Sequence, residues 1–192
     1  MDIHPGLRVL VRHKGGLRPE HRTKNSKPNE VMVEGPACQA FSLVMHNGSD
    51  EKIVVFPLMG RHFLNTRHQL RETDWGYPIA PRGQLELSRW GDQVCGMDLE
   101  FCTLPGEAAG ATLGEDAHRT IDILVFSKLP PQSNAWLIRD LKQARDQQGG
   151  VYSHGRILCR STQELARLNV QPIQPKGYLF NSRRPPALEI TF

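Results

Sequence analysis

Aromatic residues make up only 7% of this 192-residue chain, cysteine occurs four times, and no apolar run approaches the roughly 20 residues that span a bilayer. A transmembrane helix is therefore not expected. Cys38, Cys95, Cys102 and Cys159 are widely spaced, with no C-x-x-C and no Cys/His run of zinc-finger spacing, so structural zinc is not expected either. Reduced thiols are, with a Cys95 to Cys102 contact across neighbouring segments as the alternative. The opening MDIHPGLRVLVRHKGG has neither the apolar core nor the small-residue cleavage site of a secretory signal. It predicts a protein that stays where it is made, in the cytoplasm or in a particle assembled there. No G-x-S-x-G elbow, G-x-G-x-x-G loop, Walker A motif or internal repeat is present.

What is there is an ordinary globular composition, 39% hydrophobic and 23% charged, punctuated by 17 Gly and 14 Pro. It fits one packed domain or two small subdomains sharing a core, and neither a disordered chain nor a coiled coil. The net charge of +4 is unevenly placed. Residues 1–27 carry Arg8, Arg12, Lys14, Arg18, Arg22, Lys24 and Lys27 against Asp2 and Glu20, a net of +5. The remaining 165 residues hold 17 Lys and Arg against 18 acids, a net of −1. Within the basic part, the stretch from Lys14 to Glu30 is nearly free of apolar residues and broken by Gly15, Gly16, Pro19 and Pro28, which predicts a loop or arm. Such an arm neutralises phosphates, binds an acidic partner, or keeps a loop solvated. Aromatics that would stack bases are not interleaved with the cations, which disfavours sequence-specific recognition of single strands.

Most of the chain reads as β. Strands are predicted at Leu7–Arg12, Val31–Val33, Lys52–Phe56, Gln84–Ser88, Met97–Thr103 and Thr120–Ser127, and a further one places Phe41, Leu43 and Met45 on one face. Asn47-Gly48 predicts a hairpin returning the chain into Lys52–Phe56. Beyond residue 128 the pattern changes. Ser133 is placed to cap a helix carrying Trp136, Leu137, Leu141 and Ala144 on one stripe, stopped by Gly149-Gly150. A strand at Arg156–Cys159 follows, then the capping box Ser161-Thr162-Gln163-Glu164, which predicts a short helix over 162–168 ended by Asn169. Strands at Gly177–Phe180 and Ala187–Phe192 close the series. The expected fold is mainly β: an antiparallel β-sandwich, jelly-roll-like, over residues 1–128 with a basic loop at 14–30. A smaller α/β segment of two helices, residues 129–192, is expected to pack on it.

The run Phe41-Ser-Leu-Val-Met-His-Asn47, followed by a turn and an apolar strand, continues through Gly76-Tyr-Pro-Ile-Ala-Pro81, Trp90-Gly91, Leu99-Glu-Phe101 and Ile123-Leu-Val-Phe126. In pattern it resembles a group of uncharacterised bacterial β-sandwich proteins over residues 41–128. Met59-Gly60 stands here where that group has Asp-Gly. The matching positions are packing and turn positions, so the resemblance implies a sandwich and no activity.

Three groups of residues carry conceivable chemistry. His62, His68 and Asp74 lie in one polar connection flanked by Trp75, Tyr77 and Trp90, but without the tight ligand spacing of a two-histidine, one-carboxylate metal site. Isolated loop histidines more often serve packing or solvent. Ser153-His154 offers a hydroxyl beside an imidazole, yet sequence neighbours rarely meet as nucleophile and base, and Gly150–Arg156 lacks the Lys-Ser/Thr that a phosphate loop requires. The cations Arg12, Lys14, Arg18, Arg22, Lys24, Lys27, Arg183 and Arg184 are the candidate contacts to an anionic partner, with Arg160, Arg167 and Lys176 near them in sequence. No cofactor or metal is expected. The leading expectation is a non-catalytic structural or interaction protein, a subunit of a larger assembly such as a phage or virus particle, working through protein partners or self-assembly. The alternatives are a nucleic-acid-binding protein using the basic arm and a metal-dependent or serine hydrolase.

Overall fold

Alternating apolar residues need a second layer to cover the face they share, and here two sheets supply that layer to each other. The computed structural model describes residues 1–4, 6–35, 39–60, 62–91, 96–101, 120–129, 136–148, 151–168 and 170–173. In chain order the strands are β1 (Asp2–His4), β2 (Leu7–His13), β3 (Gly16–Leu17), β4 (Glu20–Arg22), β5 (Glu30–Glu34), β6 (Gln39–Ala40), β7 (Ser42–Asn47) and β8 (Ile53–Met59). They continue as β9 (His62–Phe63), β10 (Tyr77–Ile79), β11 (Gln84–Leu87), β12 (Arg89–Trp90), β13 (Met97–Asp98), β14 (Glu100–Phe101), β15 (Thr120–Ser127), β16 (Val151–Arg160) and β17 (Gln171–Pro172). The helices are α1 (Ile138–Gln148) and α2 (Thr162–Arg167). No helix among the described residues is long and apolar enough to cross a membrane.

A five-stranded sheet runs β1-β2-β7-β11 with β3 on β2, and an eight-stranded sheet runs β10-β8-β15-β16-β5-β4-β17 with β9 on β8. Val9, Val11, Leu43, Met45 and Leu87 of the smaller sheet share one core with Val31, Val33, Ile53, Val55, Ile121, Ile123, Val125 and Ile157 of the larger. The fold is thus mainly β, a sandwich whose sheets stay open. One pairing departs from the antiparallel expectation: β16 lies parallel to β5, in register from Arg156 opposite Glu30 to Arg160 opposite Glu34. It is hydrogen-bonded on its other side to β15, so β16 is an internal strand of the larger sheet rather than part of a segment laid against the sandwich.

The larger sheet has a second core on its outer face, where Val54, Phe56 and Leu58 of β8 and Phe126 of β15 meet Phe63 and Ile138 and Leu141 of α1. Apolar side chains on both faces explain why β8 reads as an unbroken run, IVVFPLM, buried throughout. The strand extends past the expected end at Phe56. Pro57 is tolerated because it falls where the ladder on one side of β8 passes from β10, which pairs with residues 53–55, to β9, which pairs with 58 and 59.

Asn47-Gly48 turns the chain without making a hairpin. It carries the chain from β7 in one sheet to β8 in the other, while β7 pairs with β2 and β11. The fully buried Asn47 side chain fixes this arch by donating to the carbonyls of Glu51 (2.7 Å) and Ala80 (3.0 Å), and by accepting from the Ser49 hydroxyl (2.6 Å). The Lys14 to Glu30 stretch is likewise more structured than an arm. Lys14 (φ 48°) and Gly15 (φ 78°) form the two-residue turn of the β2–β3 hairpin, and β4 then joins the larger sheet between β5 and β17. The Met1 ammonium is buried beneath it, donating to Val9 O (2.7 Å) and to the Glu20 carboxylate; burial lowers its pKa and Glu20 pulls it back up.

The expected strand Met97–Thr103 is two short pieces that pair with different partners, β13 with β12 and β14 with β6. Between them Leu99 is buried, and Met97 faces solvent instead of the core. The capping box is present as read: Ser161 Oγ accepts from the Glu164 amide (3.3 Å) and Glu164 accepts from the Ser161 amide (2.8 Å). The helix after it ends at Leu168. The expected cap at Ser133, the stops at Gly149-Gly150 and Asn169, the strands Gly177–Phe180 and Ala187–Phe192, and Cys38, Cys95 and Cys102 lie outside the described residues. Cys159 is half-buried and not in a disulfide.

Candidate functional site

Strand alternation sends neighbouring residues to opposite faces, and in β15 it separates an apolar row from a polar one. Ile121, Ile123 and Val125 point into the sandwich core, fully buried. Asp122 points the other way. In the antiparallel register of β15 with β16, Asp122 lies opposite Arg156, Leu124 opposite His154 and Phe126 opposite Tyr152, so all of these share the outer face. The inner face of β16 is narrow where the first strand crosses it. A Cβ on Gly155 would sit 2.4 Å from Ile3 Cγ1, so this glycine makes room for the N-terminal strand rather than for a phosphate loop.

Asp122 is the hub of the outer face. Its side chain, 11% exposed, accepts from His154 Nε2 (2.9 Å) and Arg156 Nε (2.7 Å) on Oδ1 and from Arg156 Nη2 (3.2 Å) on Oδ2. These bonds raise the Arg156 pKa above its ordinary value. Partial burial opposes the shift, and the negative charges of Asp122 and Glu30 add to it. Both basic side chains remain accessible, each 41% exposed. They line a cleft of about 370 Å³ together with Lys27, Pro28, Asn29 and Glu30. That opposite wall is fixed by the backbone: Arg156 N donates to Asn29 O (2.8 Å), Glu30 N to Lys27 O (3.0 Å), and Arg22 Nη2 to Pro28 O (2.8 Å). The arrangement presents oriented nitrogen donors and one carboxylate acceptor to a small polar ligand.

The other candidates are placed differently. His62 Nδ1 donates to Gly60 O (3.2 Å), and His68 accepts at its carbonyl from the Phe63 amide (2.8 Å) with its ring exposed. Asp74 is buried as a turn cap, accepting from the Arg71 amide on Oδ2 (2.6 Å), and its carbonyl receives Ile138 N at the start of α1 (3.1 Å). The three do not converge, and no group of three or more His, Cys, Asp or Glu among the described residues is arranged to hold a metal ion. Ser153 and His154, adjacent on β16, project to opposite faces, which separates hydroxyl from imidazole. Among the cations of the N-terminal stretch, Arg12 pairs with Glu86 (2.6 Å) on the smaller sheet. Arg18 approaches Glu34 (3.8 Å) on the larger sheet, and Arg22 is bonded to Pro28 O. Lys14, Lys24 and Lys27 are exposed. Only Lys27 reaches the cleft. Arg183 and Arg184 lie outside the described residues, as does Lys176.

Sequence reading passed over Asp122 and Glu30, and weighed Arg156 only as the end of a stretch lacking the residues of a phosphate loop. It named Lys27 and His154 for other settings, the basic arm and a serine hydrolase. The signal it had was a polar residue at alternate positions of an otherwise apolar strand, Asp122 in TIDILVFS and His154 and Arg156 in SHGRILC. No protein-family model, no curated protein and no solved structure matches this chain.

Proposed function

We propose that the protein is a non-catalytic interaction protein, a subunit of a larger assembly that docks through the surface of its sandwich. The observation that carries this reading is Trp75. Its side chain is 55% exposed on a backbone that is held on both sides. Trp75 pairs with Leu137 in an antiparallel bridge, and Gly76 donates to Trp136 O (3.0 Å). Gly76 is also pressed so closely on β8 that a Cβ there would lie 2.3 Å from Val54 Cγ1. A large aromatic presented on a fixed backbone loses little entropy on docking, and tryptophan anchors interfaces more often than its abundance suggests. A phage or virus particle is one natural setting for such a subunit.

The test is sedimentation velocity of the full chain over a concentration range, alone and in extract of its source cells, beside Trp75→Glu. Wild-type protein that enters larger species, with the variant folded but left behind, supports the reading. A wild-type monomer independent of concentration that enters no larger species overturns it.

A further inference from the structure

The cleft on the outer face of β16 has a built interior that the assembly reading does not use, and it lies on the opposite side of β15 from the β8 surface under Gly76. We infer that it binds hydrogen phosphate or a phosphate monoester, held by Arg156 and Lys27 and recognised by the acceptors Glu30 and His154 Nδ1.

Three features point to this ligand chemistry. First, Asp122 sits behind the cleft and does not line it, and it holds two donors in fixed orientation. Arg156 spends Nε and Nη2 on Asp122, and His154 spends Nε2. Among the described residues Arg156 Nη1, a donor, and His154 Nδ1, an acceptor while the ring proton sits on Nε2, are left without a protein partner on side chains that line the cleft. A guanidinium anchored by a buried carboxylate loses little freedom when it takes up an oxyanion. Second, the facing wall is held by the bonds to Asn29 O and Pro28 O and by the Lys27–Glu30 turn, so the site exists before the ligand arrives. Third, the charged groups of the wall are Lys27 and Arg156 against Glu30, with His154 beside them. Asp122 behind Arg156 brings the local charge to balance, so it is the oriented donors of Arg156 and Lys27 that favour an oxyanion, and Glu30 restricts which one.

A carboxylate in the wall is an acceptor, and a bound group must offer it a hydrogen to avoid repulsion. Hydrogen phosphate carries a P–OH, as does a singly protonated monoester. Sulfate at neutral pH has none, and neither does an internal phosphodiester. Glu30 therefore selects hydrogen phosphate over sulfate and over a nucleic-acid backbone. It selects a monoester only in its singly protonated form, which is the minority at neutral pH with a second pKa of about 6.

The experiment is an NMR titration of the full chain at neutral pH, following the His154 ring and the Lys27–Glu30 amides. The probes are inorganic phosphate, glycerol 3-phosphate, sulfate and an oligonucleotide without terminal phosphates. Phosphate or glycerol 3-phosphate is expected to shift these signals, with sulfate and the oligonucleotide at least about tenfold weaker. Tighter binding of the monoester identifies an organic phosphate as the source, and equal or weaker binding identifies free phosphate. Lys27→Glu, a change at an exposed side chain whose folding the same spectrum reports, is expected to weaken phosphate about tenfold. Glu30→Gln should narrow the gap between phosphate and sulfate. The inference is overturned if neither phosphate nor glycerol 3-phosphate moves these signals, if sulfate or the oligonucleotide binds as well as the tighter of the two, or if Lys27→Glu binds that ligand unchanged.

Discussion

The two faces of the larger sheet are built from the same strands and carry different chemistry. On the inner face Ile121, Ile123, Val125 and Ile157 meet the smaller sheet and are buried to 1% or less. On the outer face β8 and the Phe126 end of β15 are covered by α1 and are equally apolar, while Asp122, His154 and Arg156 stand beyond that cover. A sheet face is apolar only as far as the layer above it reaches. Where the helix stops, the alternation of β15 and β16 continues with polar residues, and a ligand-sized space opens.

Four substitutions break or sharpen this contrast. The largest effect is expected from Phe56→Ala. Phe56 is fully buried on the helix side, with its ring 5.5 Å from Phe63 and 5.8 Å from Phe126. Denaturant unfolding should show a loss of about 3–5 kcal/mol, the scale of a true core. A loss under about 1 kcal/mol would mean that the helix side is not a core at all. Next comes Gly155→Val on the inner face, expected to cost about 2–3 kcal/mol through collision with Ile3, with Ile3→Ala in the same chain recovering part of it. Additive losses in that double-mutant cycle would remove the contact from the account.

On the uncovered half, Asp122→Asn should cost only about 1–2 kcal/mol in a thermal or denaturant melt, because both partners are 41% exposed and water replaces much of what they lose. A loss as large as that of Phe56→Ala would erase the distinction between the two halves. Ser161→Ala lies outside both faces and removes one cap from a six-residue helix. The expected loss is about 0.5–1 kcal/mol, read by the same melt.

What was legible in the sequence divides along the same line. Local rules carried the strands LRVLVR and TIDILVFS and the Ser161–Glu164 capping box, because alternation and side-chain caps are decided within a few residues. They failed where pairing is decided at a distance. Asn47-Gly48 specifies a reversal of direction, but whether the chain reverses within a sheet or between two sheets depends on the burial of β8 against β15. Lys14-Gly15 makes a tight hairpin without the Asn-Gly or Asp-Gly that announces one. The cleft was hidden for a similar reason. Asp122 is separated from Arg156 by 34 positions, and only the register of β15 on β16 brings them together.

Among the described residues β9, which shares one end of the larger sheet with β10, is only two residues long, and β10 and, at the other end, β17 each contain a proline, Pro78 and Pro172. Each takes a backbone donor out of a strand only two or three residues long, and a newcomer needs a continuous row of such donors to extend a sheet. Fibre-like growth, sheet upon sheet, is thereby discouraged at both ends. In the assembly proposed above, such a sheet would meet its neighbours through side chains and loops rather than by lending them its backbone.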